Sequence, residues 1–321
     1  MKRCPECGNI TDDSAVFCPR CGCMLPSTPD YSIPPTYRPV RRRNGIPIAK
    51  LVAVMAIAAI LMAAAMSAMN LVNNTSEYGE RTIVYDWHVS EPAKIKEITF
   101  KISLTIPEDE IKAARDSSID RSGLSTNTPS AGGYAVKDYV VVSDTIRKLA
   151  NDLWVLYSDN VINSPFHDIR VLDSPELFAN YVLAFVHNAA DYETDSSQFG
   201  EDEYWLYPIE TLYYMHGDCE DTSILAAALY SAFTDIEGAK DRILGTSLFL
   251  LPGHAMVGVN VSGGIPASDS TYKLDVAGTD YYFGETTIDG TEKWMGVGEL
   301  DTSYYGAYVQ GFVGTSAEYV K

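Results

Sequence analysis

The stretch Tyr207-Pro-Ile-Glu-Thr-Leu-Tyr-Tyr-Met-His-Gly-Asp-Cys-Glu-Asp-Thr-Ser-Ile-Leu-Ala-Ala-Ala-Leu-Tyr230 decides the reading of this chain, because in it a lone cysteine stands where a loop turns into a helix. After Cys219, apolar residues fall at Ile224, Leu225, Ala228, Leu229 and Phe233, the three- and four-residue spacing of a helix with one buried face. Gly217 permits a tight turn, Asp218 suits the N-cap, and Asp221 puts negative charge in the first turn. Cys219 is therefore expected at the electropositive tip of the helix, where free amide hydrogens favour thiolate, the attacking form, over thiol. An inert buried cysteine is the plain alternative. Against it, the sulfur precedes the apolar face, and Glu210, Asp218, Glu220 and Asp221 crowd a segment not expected in a core.

Two further residues complete a constellation. His254 lies in Leu251-Pro-Gly-His-Ala-Met-Val-Gly-Val-Asn-Val261, a turn followed by an alternating strand, and Glu285 lies in Tyr281-Tyr-Phe-Gly-Glu-Thr-Thr287, at another strand end. A nucleophile on a helix N-terminus, with a base and an orienting carboxylate on adjacent strands, follows the logic of a papain-type triad. His216, three residues before the cysteine, competes as base; Asp275, Asp280 and Asp289 compete with Glu285.

At these residues the chain resembles a known family. Pro208-Ile-Glu-Thr-Leu212, Gly217-Asp-Cys-Glu-Asp221, Pro252-Gly-His-Ala255 and Glu285-Thr-Thr287 look like the motifs of the transglutaminase-like superfamily, in particular its archaeal membrane-anchored members, over about residues 185–298. The resemblance implies Cys219 as nucleophile, His254 as base and Glu285 where many members carry aspartate. The chain departs from the pattern at Phe185-Val-His-Asn-Ala-Ala-Asp-Tyr192, where relatives commonly carry Phe-Val-Gln followed by Ile-Pro-Tyr, so His187 stands in the place of the family's glutamine.

The N-terminal module carries Cys4-Pro-Glu-Cys7 and Cys18-Pro-Arg-Cys21. Two such knuckles offer four thiolates to a tetrahedral structural Zn2+, and a segment this short has too little apolar burial to fold unaided. It resembles a zinc ribbon over residues 1–25, with Cys23 a spare thiol. A disulfide pair is the alternative, disfavoured in a reducing compartment. Residues 26–46 form a Pro- and Arg-rich linker ending in Arg41-Arg-Arg43, and residues 47–72 are read as a membrane segment. From Leu51 to Val72 there are twenty-two uncharged residues; at about 1.5 Å each, roughly 33 Å of helix, that length crosses a bilayer core. Arg38, Arg41, Arg42, Arg43 and Lys50 precede it and Glu77 and Glu80 follow, which places the N-terminus in the cytoplasm and the rest outside. A cleaved signal peptide is the alternative, but the leader is too long for one. On this topology Cys219 is the only cysteine outside, with no partner there for a disulfide.

Charge follows the same division. Residues 1–50 carry eight Lys and Arg against four Asp and Glu; the remainder carries sixteen against thirty-nine. So acidic an outer part argues against nucleic acid and anionic lipid as partners. Asn73, Asn74 and Asn260 begin N-x-Ser/Thr patterns on the outer side.

The outer part divides into residues 73–135, a β-containing stalk and N-terminal part of the outer domain, and residues 136–321, by resemblance a transglutaminase-like catalytic domain. Glu97 to Ile106 alternates as a half-buried strand, with Thr82 to Val89 its expected partner, and residues 116–135 read as a mobile loop. Helices are expected behind Ser143 to Tyr157 and from Ser174-Pro175 to about Asn188. The acidic and aromatic segment Asp191 to Tyr207 reads as a solvated loop, or as a cleft wall with Trp205 or Tyr207 over the thiol; it lacks calcium-ligand spacing, so no metal is expected there. Strands near residues 246–251, 255–261, 272–276, 281–283 and 307–313 suit an antiparallel sheet against the helices, an α+β arrangement and, by resemblance, a papain/transglutaminase-like core.

The expected function is cysteine-dependent acyl transfer outside the membrane on a protein or peptide substrate, either as a peptidase or amidase or as a protein-glutamine transferase, with no catalytic cofactor. The alternative is a silent binding domain on a single-pass tether, with the ribbon docking a cytoplasmic protein. A binding module needs none of Cys219, His254 and Glu285.

Overall fold

The computed structural model describes residues 2–3, 10–11, 78–89, 98–119, 121, 130–131, 134–251, 253–267, 271–287, 295–300 and 316–320. The chain divides into two units, Met1–Asn70 and Leu71–Lys321. In the first, β1 (Lys2–Arg3) pairs antiparallel with β2 (Ile10–Thr11). Cys4, Cys7, Cys18 and Cys21, the linker and the expected membrane segment lie outside the described residues. Among the described residues, no helix is long and apolar enough to cross a membrane.

The second unit is mixed α and β, with mostly antiparallel strands. It opens with the antiparallel hairpin of β3 (Arg81–Trp87) and β4 (Phe100–Ile106), in register from Arg81 opposite Ile106 to Trp87 opposite Phe100. Alternation sends Ile83, Tyr85 and Trp87 inward, as a period of two requires. Next comes α1 (Glu108–Arg115), which the sequence reading missed. Its signals were electrostatic: Glu108, Asp109 and Glu110 in the first turn, Lys112 and Arg115 in the last.

Short strands β5 (Ser130–Ala131) and β6 (Tyr134–Ala135) lead to α2 (Asp144–Tyr157), a turn α3 (His167–Arg170) and α4 (Pro175–Ala189). Both long helices start on the expected caps: Ser143 Oγ accepts from Ile146 N at 3.3 Å and Ser174 Oγ from Leu177 N at 3.0 Å. Then follow β7 (Asp191–Tyr192), a turn α5 (Asp195–Gln198), α6 (Pro208–Tyr214), β8 (His216–Gly217) and α7 (Cys219–Phe233). The last strands are β9 (Ile243–Leu251), β10 (His254–Val261), β11 (Lys273–Val276), β12 (Thr279–Gly284) and β13 (Ser316–Val320). They form one antiparallel sheet in the order β11-β12-β10-β9-β13. The strand expected at 307–313 lies outside the described residues, and β13 was not foreseen.

Helix α7 is the centre of the unit. It contacts β9 and β10 and also α2, α4 and α6. Every residue of it except Ser231 is buried, which corrects the expectation of a single buried face. A helix enclosed all round needs apolar or small residues on every side, and Ala226, Ala227 and Ala228 with Ile224, Leu225, Leu229 and Phe233 supply them. Residues of β3 and β4 share this core with α2, α4 and α7, and Trp87 and Phe100 enter the same interior. A second cluster, Phe249, Leu251, Met256, Tyr281, Phe283 and Leu300, belongs to the sheet.

Candidate active site around Cys219

Cys219 is the first residue of α7. The segment before it is held on both sides. Asp191–Tyr192 runs parallel to His216–Gly217, and Met215, left-handed at φ 62°, turns the chain out of α6 and accepts Asp191 N–H at 2.9 Å. A Cβ on Gly217 would lie 2.8 Å from Asp221 Cβ, so only glycine lets the first turn close there. Asp218 takes the N-cap position with extended backbone, but the closing bond comes from Asp221, whose Oδ2 accepts Asp218 N–H at 3.4 Å while Oδ1 accepts Leu206 N–H at 2.7 Å. That carboxylate fastens the aromatic segment before α6 to the cysteine's own turn.

His254 opens β10, and Glu285 follows the end of β12. Val257 faces Gly284 in this antiparallel pair, so continuing the register by one step sets Glu285 opposite Met256, diagonal to His254. A Cβ on Gly284 would meet Val257 Cγ1 at 2.7 Å, which shows how closely the strands approach. The imidazole Nε2–H donates to Glu285 Oε2 at 2.8 Å. The other carboxylate oxygen, Oε1, accepts from Thr287 N at 2.8 Å and from Thr287 Oγ1 at 2.6 Å, so the acid is anchored at both ends and buried at 1 % exposure. With Nε2 as the donor, the neutral ring carries its lone pair on Nδ1. His187, from α4, is buried and its Nε2–H donates to the Glu285 carbonyl oxygen at 2.7 Å; burial lowers its pKa, so it acts as a neutral brace behind the carboxylate.

The Cys219 side chain is buried at the start of α7. The backbone N–H of Ala255, the residue after His254, reaches it, and the thiol donates to Glu220 Oε2 at 3.0 Å. The expected thiolate is corrected here. Burial first, then the charges of Glu220 and Asp218, push the Cys219 thiol far above the usual cysteine range, outweighing the helix terminus and the Ala255 N–H. The expectation that an acidic segment avoids the core is corrected as well, since Glu220 is 3 % and Asp221 0 % exposed. Both carboxyls are raised, by burial and by Asp218.

The competing residues are disposed elsewhere. His216 is half-exposed and faces Glu193 Oε2 at 3.4 Å. Asp280 pairs with Lys273, Asp275 accepts from Gly278 N at 2.9 Å, and Asp289 lies outside the described residues. The segment 191–207 is not a solvated loop throughout. Trp205 is fully buried with its ring 5.8 Å from Tyr139, Tyr207 stacks on Tyr139 at 5.2 Å, and Asp195 is 2 % exposed with its carboxyl pushed up to about 7 by burial and Asp218. Sequence reading also missed Arg121. Buried at 7 % exposure, it donates to Glu210 Oε2 at 2.6 Å, to Trp205 O at 3.2 Å and to Ala114 O at 2.6 Å. A lone arginine in a Ser- and Thr-rich stretch gives no periodic signal.

No protein-family model matches the chain, and no curated protein matches its sequence.

Proposed function

We propose that the protein is a cysteine-dependent acyl-transfer enzyme with a papain/transglutaminase-like core, anchored by one membrane helix with the catalytic unit outside the cell and a cytoplasmic zinc ribbon. The observation that carries this is the His254–Glu285 hydrogen bond at 2.8 Å, with His254 on β10, a strand packed against the helix that begins at Cys219. Glu285 orients the ring, and Nδ1 is the nitrogen able to take a proton from sulfur.

The reaction starts from the neutral thiol. The Cys219 side chain turns from Glu220 toward β10, gives its proton to His254 Nδ1, and the sulfur forms a bond to an amide carbonyl carbon. The carbonyl electron pair moves to oxygen, and the amide N–H of Cys219, at the start of the helix, donates to that oxyanion. Collapse breaks the C–N bond, and the leaving amine takes the proton from His254. Water or a second amine then attacks the thioester and releases the thiol. Water as acceptor makes a peptidase or amidase, an amine a protein-glutamine transferase. The ribbon, with Cys4, Cys7, Cys18 and Cys21 around a structural Zn2+, serves as a docking module for a cytoplasmic protein.

The resting thiol, bonded to Glu220, favours a second reading in which the unit binds peptides without turning them over. One comparison separates the two. The full chain and its Cys219→Ala form are assayed for peptide-amide cleavage and for amine incorporation into a glutamine peptide. Activity lost with the sulfur supports the enzyme; identical behaviour of both proteins overturns it.

A further inference from the structure

Three hydroxyls, all buried, meet between the start of α7 and the segment just past β12. Thr286 Oγ1 lies 2.8 Å from Thr222 Oγ1 and 3.0 Å from Ser223 Oγ, and Thr222 Oγ1 donates to the Asp218 carbonyl oxygen at 2.7 Å. Each hydroxyl has one proton to give. A carbonyl only accepts, so Thr222 donates to Asp218 O and accepts from Thr286, and Thr286, its proton used, accepts from Ser223. Only this order makes all three bonds at once. It yields one directed chain, from Ser223 through Thr286 and Thr222 to Asp218 O.

The chain joins the residue before Cys219 to the residue after Glu285. A helical threonine commonly bonds the carbonyl four residues back, which accounts for Thr222 on Asp218. It does not account for Ser223 and Thr286, 63 residues apart in sequence and bonded across two elements. Apolar side chains of similar size would fill these places without asking for partners. The same corner is held from other sides: the Glu285 carbonyl oxygen accepts from His187 on α4, and Glu285 Oε1 accepts from Thr287. Of all these bonds, only those of Thr286 reach α7, where Cys219 stands. We propose that Thr286 is a positioning residue of the acyl-transfer site, which through Thr222 and Ser223 holds the segment carrying Glu285, and with it His254, in register with the start of α7. The proposal rests on the acyl-transfer reading. Thr286 touches no reacting atom; it sets the distance and angle over which the Cys219 proton passes to His254 Nδ1, and a misplacement of about 1 Å can lower a rate by about a hundredfold.

The test uses the purified full chain in detergent, with zinc retained for the ribbon, and p-nitrophenyl acetate in excess as the probe. The sulfur bonds to the acetyl carbon, the thiol proton goes to His254, the ester C–O bond breaks, and p-nitrophenolate leaves with the electron pair. The amplitude of the burst counts competent sites, and its rate constant does not depend on their number. Thr286→Val keeps the shape without the hydroxyl. It is expected to lower the saturated burst rate constant by about tenfold or more, with the half-saturating concentration changed by less than about twofold, and Thr286→Ser to restore the rate. Thr246→Val loses an equally buried hydroxyl, one that donates to Gly258 O at 3.0 Å, and is expected to keep the wild-type rate. Should Thr286→Val fail to fold, Thr222→Val breaks the chain from the helix side and is read by the same split. A burst that persists in Cys219→Ala, or is absent from the wild type, overturns the acyl-transfer reading and this proposal with it. A Cys219-dependent burst that Thr286→Val, or Thr222→Val in its stead, leaves unchanged, or that Thr286→Ser does not restore, overturns the positioning role alone.

Discussion

Replacing Arg121 by methionine removes the only cation paired with Glu210 among the described residues, at a point where α1, the aromatic segment and α6 meet. Glu210 is 0 % exposed, and its Oε2 also accepts Tyr207 N–H at 3.0 Å. The guanidinium lies 5.1 Å from the ring centres of both Tyr204 and Tyr207. Methionine keeps most of the apolar volume but strands the carboxylate and takes a donor from two carbonyls. Breaking one side of a buried pair costs about 3–5 kcal/mol, a large share of the roughly 5–15 kcal/mol that holds a domain together. Adding Glu210→Gln removes the stranded charge, so the double variant is expected to recover about 2–3 kcal/mol of that loss. Urea unfolding of the full chain, followed by tryptophan fluorescence, measures both quantities. A cost under about 1 kcal/mol, where exposed pairs lie, refutes the reasoning.

Other expectations concern the site. Glu285→Gln leaves the fold intact and lowers turnover by about four orders of magnitude, because an amide no longer fixes the imidazole tautomer; a loss below tenfold would remove Glu285 from the orienting role. Alkylation of Cys219 by iodoacetamide stays slow through neutral pH and is still climbing at the upper end of the accessible range, as burial and Glu220 hold the thiol protonated. Glu220→Gln accelerates alkylation at fixed pH, and an unchanged or slower rate contradicts the assigned cause. Gly284→Ala forces a methyl to within 2.7 Å of Val257 Cγ1 and destabilises the β10–β12 pairing by about 1–3 kcal/mol, measured by thermal unfolding. Full stability in that variant would mean the strands separate freely.

Local patterns made much of the fold legible. Ser143 and Ser174-Pro175 announced α2 and α4 because a cap works over three residues, and the alternation in β3 and β4 announced a hairpin because side chains along a strand change face at each step. Helix α1 escaped because eight residues carrying one buried apolar side chain, Ile111, leave almost no period to read. At the site, the residue types of Cys219, His254 and Glu285 were legible, while the roles of His187, Asp195 and Arg121 were not.

By itself the sequence determined most of the helices and strands, α1 and β13 excepted, and that one cysteine begins a helix beside an acidic run. The tertiary structure alone decided that Glu285 meets His254 while Asp275 and Asp280 do not, that His216 turns to Glu193, and that the thiol rests protonated on Glu220. Caps and periodicity act between neighbours along the chain, whereas desolvation and charge act through space, and the groups that surround Cys219 come from strands and loops far from it in sequence.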